Sequence, residues 1–312
     1  MKKYVFGVDI GGTAVKIGLF FTNGILLENW EIKTRIEDQG AHVLPDIADA
    51  VLSKCKEKNI DKEEIAGIGM GVPGPVTDDG VVHKCVNLGW GEMNVIKDME
   101  ELTGLPVRAG NDANVAALGE SWQGGGKGFQ DLVMVTLGTG VGGGIIIGGK
   151  VLTGSGGAAG EIGHIPVNPE EKETCGCGNH GCLEQYASAN GIVLVAKRYL
   201  EAHKDQASSL RELPSFTSKE IFDAAKAGDH VADQITDIVC DMLGRAMATI
   251  SVVTNPEAFV IGGGMSAAGT ILIEKIQKSF QRYAFHLMRE TQFKFATLGN
   301  KAGIYGSAKL VL

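Results

Sequence analysis

The sequence predicts a duplicated α/β fold in two domains, and three observations carry that expectation. A strand, a glycine turn and a second strand occur twice: Tyr4–Ile10, Gly11-Gly12-Thr13 and Val15–Phe21 in one half, and Asp131–Leu137, Gly138-Thr139-Gly140 and Gly144–Ile147 in the other. Val-Asp-Ile-Gly-Gly-Thr at 8–13 falls against Val-Thr-Leu-Gly-Thr-Gly at 135–140 without a gap. The chain, at 312 residues with 44% hydrophobic and 21% charged residues, is long enough for two ordinary globular domains.

The elements follow in order. Asn23-Gly24 marks a hairpin before a third strand over Ile25–Lys33. Next come a helix over Ala41–Lys58, a strand over Ile65–Met70, a helix over Val95–Thr103, and a strand from Val107 that runs straight into a helix over Ala113–Gln123. The glycine run Gly124–Gly128 is the expected joint, which sets the domains at 1–123 and 124–300. The second half supplies helices near Leu183–Leu200, Ser218–Ala227, Val231–Val253 and Ile271–Met288, with a short buried strand at Ala258–Ile261. A last helix, Lys301–Leu312, is expected to pack back on the first domain.

Charge and composition narrow the function. A net charge of −8 disfavours a general role on nucleic acid or anionic membranes. The opening Met-Lys-Lys and apolar run are interrupted at Asp9, too early for a secretory leader. No stretch reaches the roughly 20 apolar residues of a membrane span. Cys55, Cys85 and Cys240 stand singly, as reduced buried thiols do, so a cytoplasmic enzyme is expected.

Several glycine motifs resemble phosphate loops and must be sorted. Gly69-Met-Gly-Val-Pro-Gly74 matches the dinucleotide fingerprint literally, but prolines and the turn Thr77–Gly80 stand where that fingerprint needs a helix. Lys127 is followed by glycine rather than Ser or Thr, so there is no P-loop. The two matched turns at 9–13 and 138–143 remain. Their backbone N–H groups can cradle a polyphosphate, and Asp9 can hold the water shell of Mg²⁺. Gly262-Gly263-Gly264 closes a buried strand and offers bare backbone to a nucleotide base.

Two polar centres could carry the chemistry. Asn111 and Asp112 stand at a helix N-terminus and at the carboxyl end of a strand, the edge where open α/β sheets place ligands. A carboxylate there can take a proton from a hydroxyl, although on this stretch alone a capping role is the simpler reading. The second centre runs from Glu161 and His164 through Cys175, Cys177 and Cys182 to Glu184. His164 and the three cysteines make a four-ligand set suited to a closed, structural Zn²⁺ site. A redox pair would more usually be Cys-x-x-Cys, and a disulfide fits poorly with the scattered cysteines elsewhere.

With these residues in hand, the chain resembles the ROK family (repressor, open reading frame, kinase), and within it the bacterial glucokinases. The resemblance covers essentially the whole chain through Asp9–Thr13, Gly71–Pro75, Asn87–Trp90, Asn111–Asn114, Leu137–Gly144, Gly160–His164 and Cys175–Glu184. It implies an actin-like (ribonuclease H-like) two-domain sugar kinase that uses ATP and Mg²⁺ to phosphorylate glucose at the 6-hydroxyl. By this resemblance Asp112 is the general base, and Asn111, Asp112, Glu161, His164 and Glu184 bind the sugar, with Asn87 also lining the pocket. Asp9, Gly11, Gly12, Thr13, Lys16, Gly138, Thr139, Gly140, Gly263 and Gly264 would hold the nucleotide. His164 would have a second duty beside Cys175, Cys177 and Cys182 on zinc. A homodimer or higher homo-oligomer is implied. Family repressors carry a helix-turn-helix ahead of the first glycine turn, and a strand that starts at residue 4 leaves none expected here.

The rival functions are a kinase for N-acetylmannosamine or N-acetylglucosamine, a sugar-sensing protein without catalysis, and a zinc oxidoreductase. The first shares the catalytic motifs. An intact Asp112 speaks against the second, and the third lacks both an open metal position and a dinucleotide loop.

Overall fold

A computed structural model describes residues 2–312. The first glycine turn joins β1 (Tyr4–Ile10) to β2 (Ala14–Phe21), and the chain returns as β3 (Leu26–Lys33). A single turn, α1 (Glu37–Gly40), precedes α2 (Val43–Lys58), β4 (Ile65–Val72), the small strands β5 (Val81–Val82) and β6 (Met93–Asn94), α3 (Val95–Thr103), β7 (Val107–Asn111) and α4 (Asp112–Gln123). The second half opens with β8 (Leu132–Leu137), β9 (Val141–Ile147) and β10 (Lys150–Val151). It continues through α5 (Glu184–Ala187), α6 (Ala189–Ala202), α7 (Ser218–Lys226), α8 (His230–Thr254), β11 (Ala258–Gly262), α9 (Thr270–Tyr283), β12 (Gln292–Phe295) and α10 (Ala302–Leu310).

The expected duplication is visible in the strand order. One five-stranded sheet runs β3-β2-β1-β4-β7 and the other β10-β9-β8-β11-β12, so each builds outward from a strand that ends in a glycine turn. In the first sheet β1 pairs antiparallel with β2 and parallel with β4, and β4 pairs parallel with β7. In the second, β11 lies parallel to both β8 and β12. The parallel strands read as continuous apolar runs because they are covered on both faces: Val5, Phe6, Val8, Ile68 and Met70 have no exposed surface.

The chain divides into two compact units. The first comprises Met1–Gln130, Gly144–Gly160 and Thr297–Leu312, and the second Asp131–Gly143 and Glu161–Ala296. The boundary therefore falls a few residues beyond the glycine run, and a hairpin segment from the second half returns to the first unit. Helix α10 lies on β1, β4 and α4. It can approach that closely because glycines face the contact. A Cβ on Gly69 would overlap the Ser307 carbonyl, and one on Gly306 would overlap the Val115 carbonyl. Ser307 adds a hydrogen bond from its Oγ to the Val8 carbonyl at 2.7 Å.

Element boundaries differ from expectation where side chains compete with the helix. The helix expected over Leu183–Leu200 breaks at Ser188, whose backbone is extended (φ −79°, ψ 169°) and whose hydroxyl accepts from Gly191 N–H at 2.9 Å. The helix expected over Ile271–Met288 stops at Tyr283, because Ala284 turns extended. Val-Pro-Gly-Pro after β4 opens no helix, which removes the dinucleotide reading of Gly69–Gly74. No helix among the described residues is long and apolar enough to cross a membrane.

Candidate active site

In the first unit, β1 delivers Asp9 to the edge of the first glycine turn. Asp9 pairs in register with Lys16, and the Lys16 Nζ stands 3.9 Å from its carboxylate. Burial pushes the Asp9 carboxyl above its ordinary value, and Lys16 partly opposes that shift. On the other side, a Cβ on Gly303 of α10 would collide with the Asp9 carboxylate. The turn is shaped by Gly11 N–H donating to the Ala14 carbonyl at 3.0 Å and by Thr34 Oγ1 donating to the Gly11 carbonyl at 2.7 Å. Gly12 faces the backbone of Asn87, itself solvent-exposed.

The Asn111–Asp112 pair resolves into two different jobs. Asn111 is the N-cap of α4: its Oδ1 accepts from Ala113 N–H at 3.0 Å and Asn114 N–H at 3.1 Å, and its Nδ2 donates to the Gly74 carbonyl at 3.1 Å. Asp112 is therefore not the cap. It occupies the first helical position, half-buried, with Oδ1 accepting from Ala113 N–H at 2.9 Å. A carboxylate at a helix N-terminus is favoured by the aligned peptide dipoles. Burial pushes the Cys85 thiol up, and the nearby Asp112 charge adds a little. The loop that carries Cys85 and Asn87 therefore lies within reach of Asp112.

In the second unit, β8 and β9 flank the turn Gly138-Thr139-Gly140, closed by Gly138 N–H donating to the Gly140 carbonyl at 3.0 Å. Glu184, at the start of α5, reaches this turn: its Oε2 accepts from Val141 N–H at 3.4 Å, and a Cβ on Gly140 would displace it. The other carboxylate oxygen accepts from Cys175 Sγ at 3.5 Å and lies 4.0 Å from His164 Nδ1. His164 ends a short 3-10 turn, Ile162–His164, that begins just after the exposed Glu161. Gly263 closes against the Leu137 carbonyl at the end of β8, in a left-handed conformation (φ 82°). Gly264 lines a cavity of about 120 Å³ with Ser218, Phe222, Met265 and Ala267.

His164, Cys175, Cys177 and Cys182 converge, their ligand atoms all within 4.8 Å of one another. The Cys177 and Cys182 sulfurs are 3.6 Å apart, and Cys175 Sγ is 3.8 Å from His164 Nδ1. All six cysteines are free. A tetrahedral zinc with Zn–S bonds of about 2.3 Å places its sulfurs roughly 3.7 Å apart, so the donor set and spacing fit that ion. Burial and the two other cysteines push the Cys182 thiol up to about 12, and a thiolate trio there calls for a central cation. Left-handed Gly178 (φ 92°) and Gly181 (φ 70°) fold the loop inward, whereas Gly176 has no such conformation.

A second clamp on this loop has no local signal in the sequence. Glu171 accepts from Tyr186 Oη at 2.5 Å and from Arg198 at 2.6 and 3.2 Å, and Tyr186 accepts from Asn168 Nδ2 at 2.8 Å. Arg198 and Tyr186 hold the Glu171 carboxyl down at about 2. Nothing in the spacing of Ser218, Phe222 and Met265 marks them as lining a common cavity.

The ROK family model matches residues 5–312. The chain belongs to the ROK family. Among its ROK relatives, the glucokinase of Halalkalibacterium halodurans is 42% identical over 99% of this chain and 95% of its own. A ROK glucokinase from Streptomyces griseus, solved in complex with glucose and AMPPNP, superposes with a TM-score of 0.72 at 36% identity, covering 98% of each chain. A ROK hexokinase from Thermus thermophilus gives a TM-score of 0.81 at 30% identity over 98% of this chain and 97% of its own. The ROK assignment and the actin-like α/β fold expected from the motifs therefore both hold.

Proposed function

We propose that this chain transfers the γ-phosphate of ATP to the 6-hydroxyl of glucose, with Asp112 as general base. The observation that carries the reading is the division of labour at α4: Asn111 supplies the helix cap, and the neighbouring Asp112 carboxylate stands, half-buried, where β7 ends and the helix begins. The 42% identical relative named a glucokinase, and the Streptomyces griseus glucokinase bound to glucose and AMPPNP, support the substrate pair.

In this mechanism Asp112 accepts the O6 proton as O6 bonds to the γ-phosphorus and the bond to the β-phosphate oxygen breaks, releasing ADP. The turns at 11–13 and 138–140 present backbone N–H groups to the phosphates, and Gly264, with open space where a side chain would stand, leaves room for the adenine beside the backbone of Gly263. Mg²⁺, held through water near Asp9, would offset charge on the transferring group. Glu161, His164 and Glu184, with the spare proton of Asn111 Nδ2, hydrogen-bond the remaining sugar hydroxyls, and Asn87 lines the same pocket. Sites that pair every hydroxyl reject analogues that leave a buried partner unpaired. Structural Zn²⁺ on His164 Nδ1 and the three sulfurs would fix the imidazole plane, leaving Nε2 for the sugar. The expected setting is a cytoplasmic homodimer or larger assembly.

A coupled assay of ADP formation over a panel of hexoses and N-acetylhexosamines tests the reading. Glucose is expected to give the highest kcat/KM. A preference for N-acetylmannosamine or N-acetylglucosamine would reassign the acceptor, and sugar-independent ATP hydrolysis alone would overturn the kinase.

A further inference from the structure

The first unit also holds a cavity of about 190 Å³, with Asp78, Arg108, Asn114 and Thr153 on its polar side and Val115 and Leu310 on its apolar side. It lies on the α4 and α10 face of the edge strand β7. Val107 and Ala109 pack into the core on one face of that strand, so Arg108 and Gly110 point to the other. There a Cβ on Gly110 would meet Val115 at 3.2 Å and Leu310 at 3.6 Å. Of the residues assigned to the sugar, the cavity shares Asn111 and not Asp112, Glu161, His164 or Glu184.

Asn114 marks this space as more than a gap in the packing. The residue is 3% exposed, and its Oδ1 is the one buried side-chain oxygen or nitrogen among the described residues without a hydrogen-bond partner. An unpaired buried acceptor is costly, so a donor belongs there. At roughly 30 Å³ per water the cavity is several times larger than one bridging water requires.

The rest of the lining narrows the chemistry of that donor. Asp78 and Arg108 are exposed at the mouth, and among the described residues neither stands in an ion pair; the Arg108 guanidinium donates to the Val107 carbonyl at 3.2 Å. Their opposite charges cancel, so the mouth as a whole favours neither an anion nor a cation. Deeper in, the neutral Asn114 amide stands beside Val115, which has no exposed surface, and a charged group there would lose its hydration without a counter-charge. Hydroxyls satisfy every wall. An O–H donates to Asn114 Oδ1 and to Asp78, its oxygen accepts from Arg108 and Thr153, and the C–H face of a ring rests on Val115 and Leu310.

We propose that this cavity is a second binding site, taking a neutral sugar of pyranose form, separate from the acceptor site at Asp112. Its ligand rests on the first turn of α4, where Asn114 follows Asp112 by two residues.

Equilibrium dialysis against labelled glucose, without ATP, tests this by counting sites. Wild type is expected to bind two glucose molecules per chain and Asn114→Leu one, since the leucine keeps the bulk but removes the acceptor. Arg108→Ala, at the exposed mouth, is expected to weaken the same site about tenfold, the order of one hydrogen bond from a charged donor. Should Asn114→Leu fail to fold, Val151→Trp, at a half-buried position on the cavity wall, fills the space and is read the same way. One glucose per wild-type chain, unaffected by these variants, would overturn the proposal and leave the cavity to water. So would no glucose at all, or alanine or inorganic phosphate held there in its place. A single glucose lost in Asn114→Leu would keep this site and sink the acceptor site of the kinase reading instead.

Discussion

Asp112 and Asn111 are adjacent, polar and both suited to a helix N-terminus, yet their side chains are used differently. Because Asn111 supplies the cap, Asp112→Asn is expected to leave stability nearly unchanged, well below the ~1 kcal/mol typical of a lost cap. Loss of a general base costs about 10² to 10⁴-fold, so turnover should collapse while glucose binding, followed by calorimetry, stays within a few-fold. Near-normal turnover in this variant would return Asp112 to a structural role. Glu171 makes a second prediction at this scale. Its carboxyl is held at about 2 against an ordinary 4.5, so its network stabilises the fold fully above the unfolded value and loses that contribution as pH falls from about 4.5 toward 2. Urea midpoints of wild type and Glu171→Gln should therefore differ at pH 7 and converge through that window. A gap that persists unchanged at pH 2 would show that packing, not charge, is at work.

At the scale of elements, the loop between His164 and Glu184 is held twice, by the His164–Cys175–Cys177–Cys182 cluster, whose donors fit a zinc ion, and by Glu171 with Tyr186 and Arg198. Cys177→Ser should therefore release zinc without unfolding the loop. Ligand defects of this kind cost about 10 to 100-fold in metal affinity or activity. Glucose binding should weaken far more than binding of a non-hydrolysable ATP analogue, since Glu184 contacts both Cys175 and the turn at Gly140. Metal analysis with separate titrations of the two ligands decides it, and a zinc-free variant that binds glucose normally would make the cluster a remote staple. What sequence could and could not disclose divides along similar lines. The two glycine turns and their strands were legible because apolar runs and Gly-Gly-Thr or Gly-Thr-Gly are local signals. Gln292–Phe295 was not, for β12 is four residues long, alternates exposed and half-buried, and owes its strand state to pairing with β11. The consecutive left-handed residues Asp38 (φ 53°) and Gln39 (φ 57°), packed where Trp90 Nε1 donates to the Gly40 carbonyl at 3.1 Å, are likewise a tertiary effect. Glu120 and Glu171 look like ordinary helix and loop acids until the fold brings their partners from up to 178 positions away.

For the whole molecule, two sheets of matching strand order each present a glycine turn. The two glycine turns were readable because each follows a strand that the duplication repeats. Selectivity is a property of the assembled pocket. Glucose is expected to exceed N-acetylmannosamine by at least about tenfold in kcat/KM, a modest ratio for a site of the kind proposed, in which each glucose hydroxyl is paired. The most direct test of the central claim is the product itself: incubate the purified protein with ATP, Mg²⁺ and glucose, and follow the phosphorus spectrum. Glucose 6-phosphate appearing in step with ADP is the expected result. Inorganic phosphate as the sole product, or a phosphate on any position other than O6, would contradict the account.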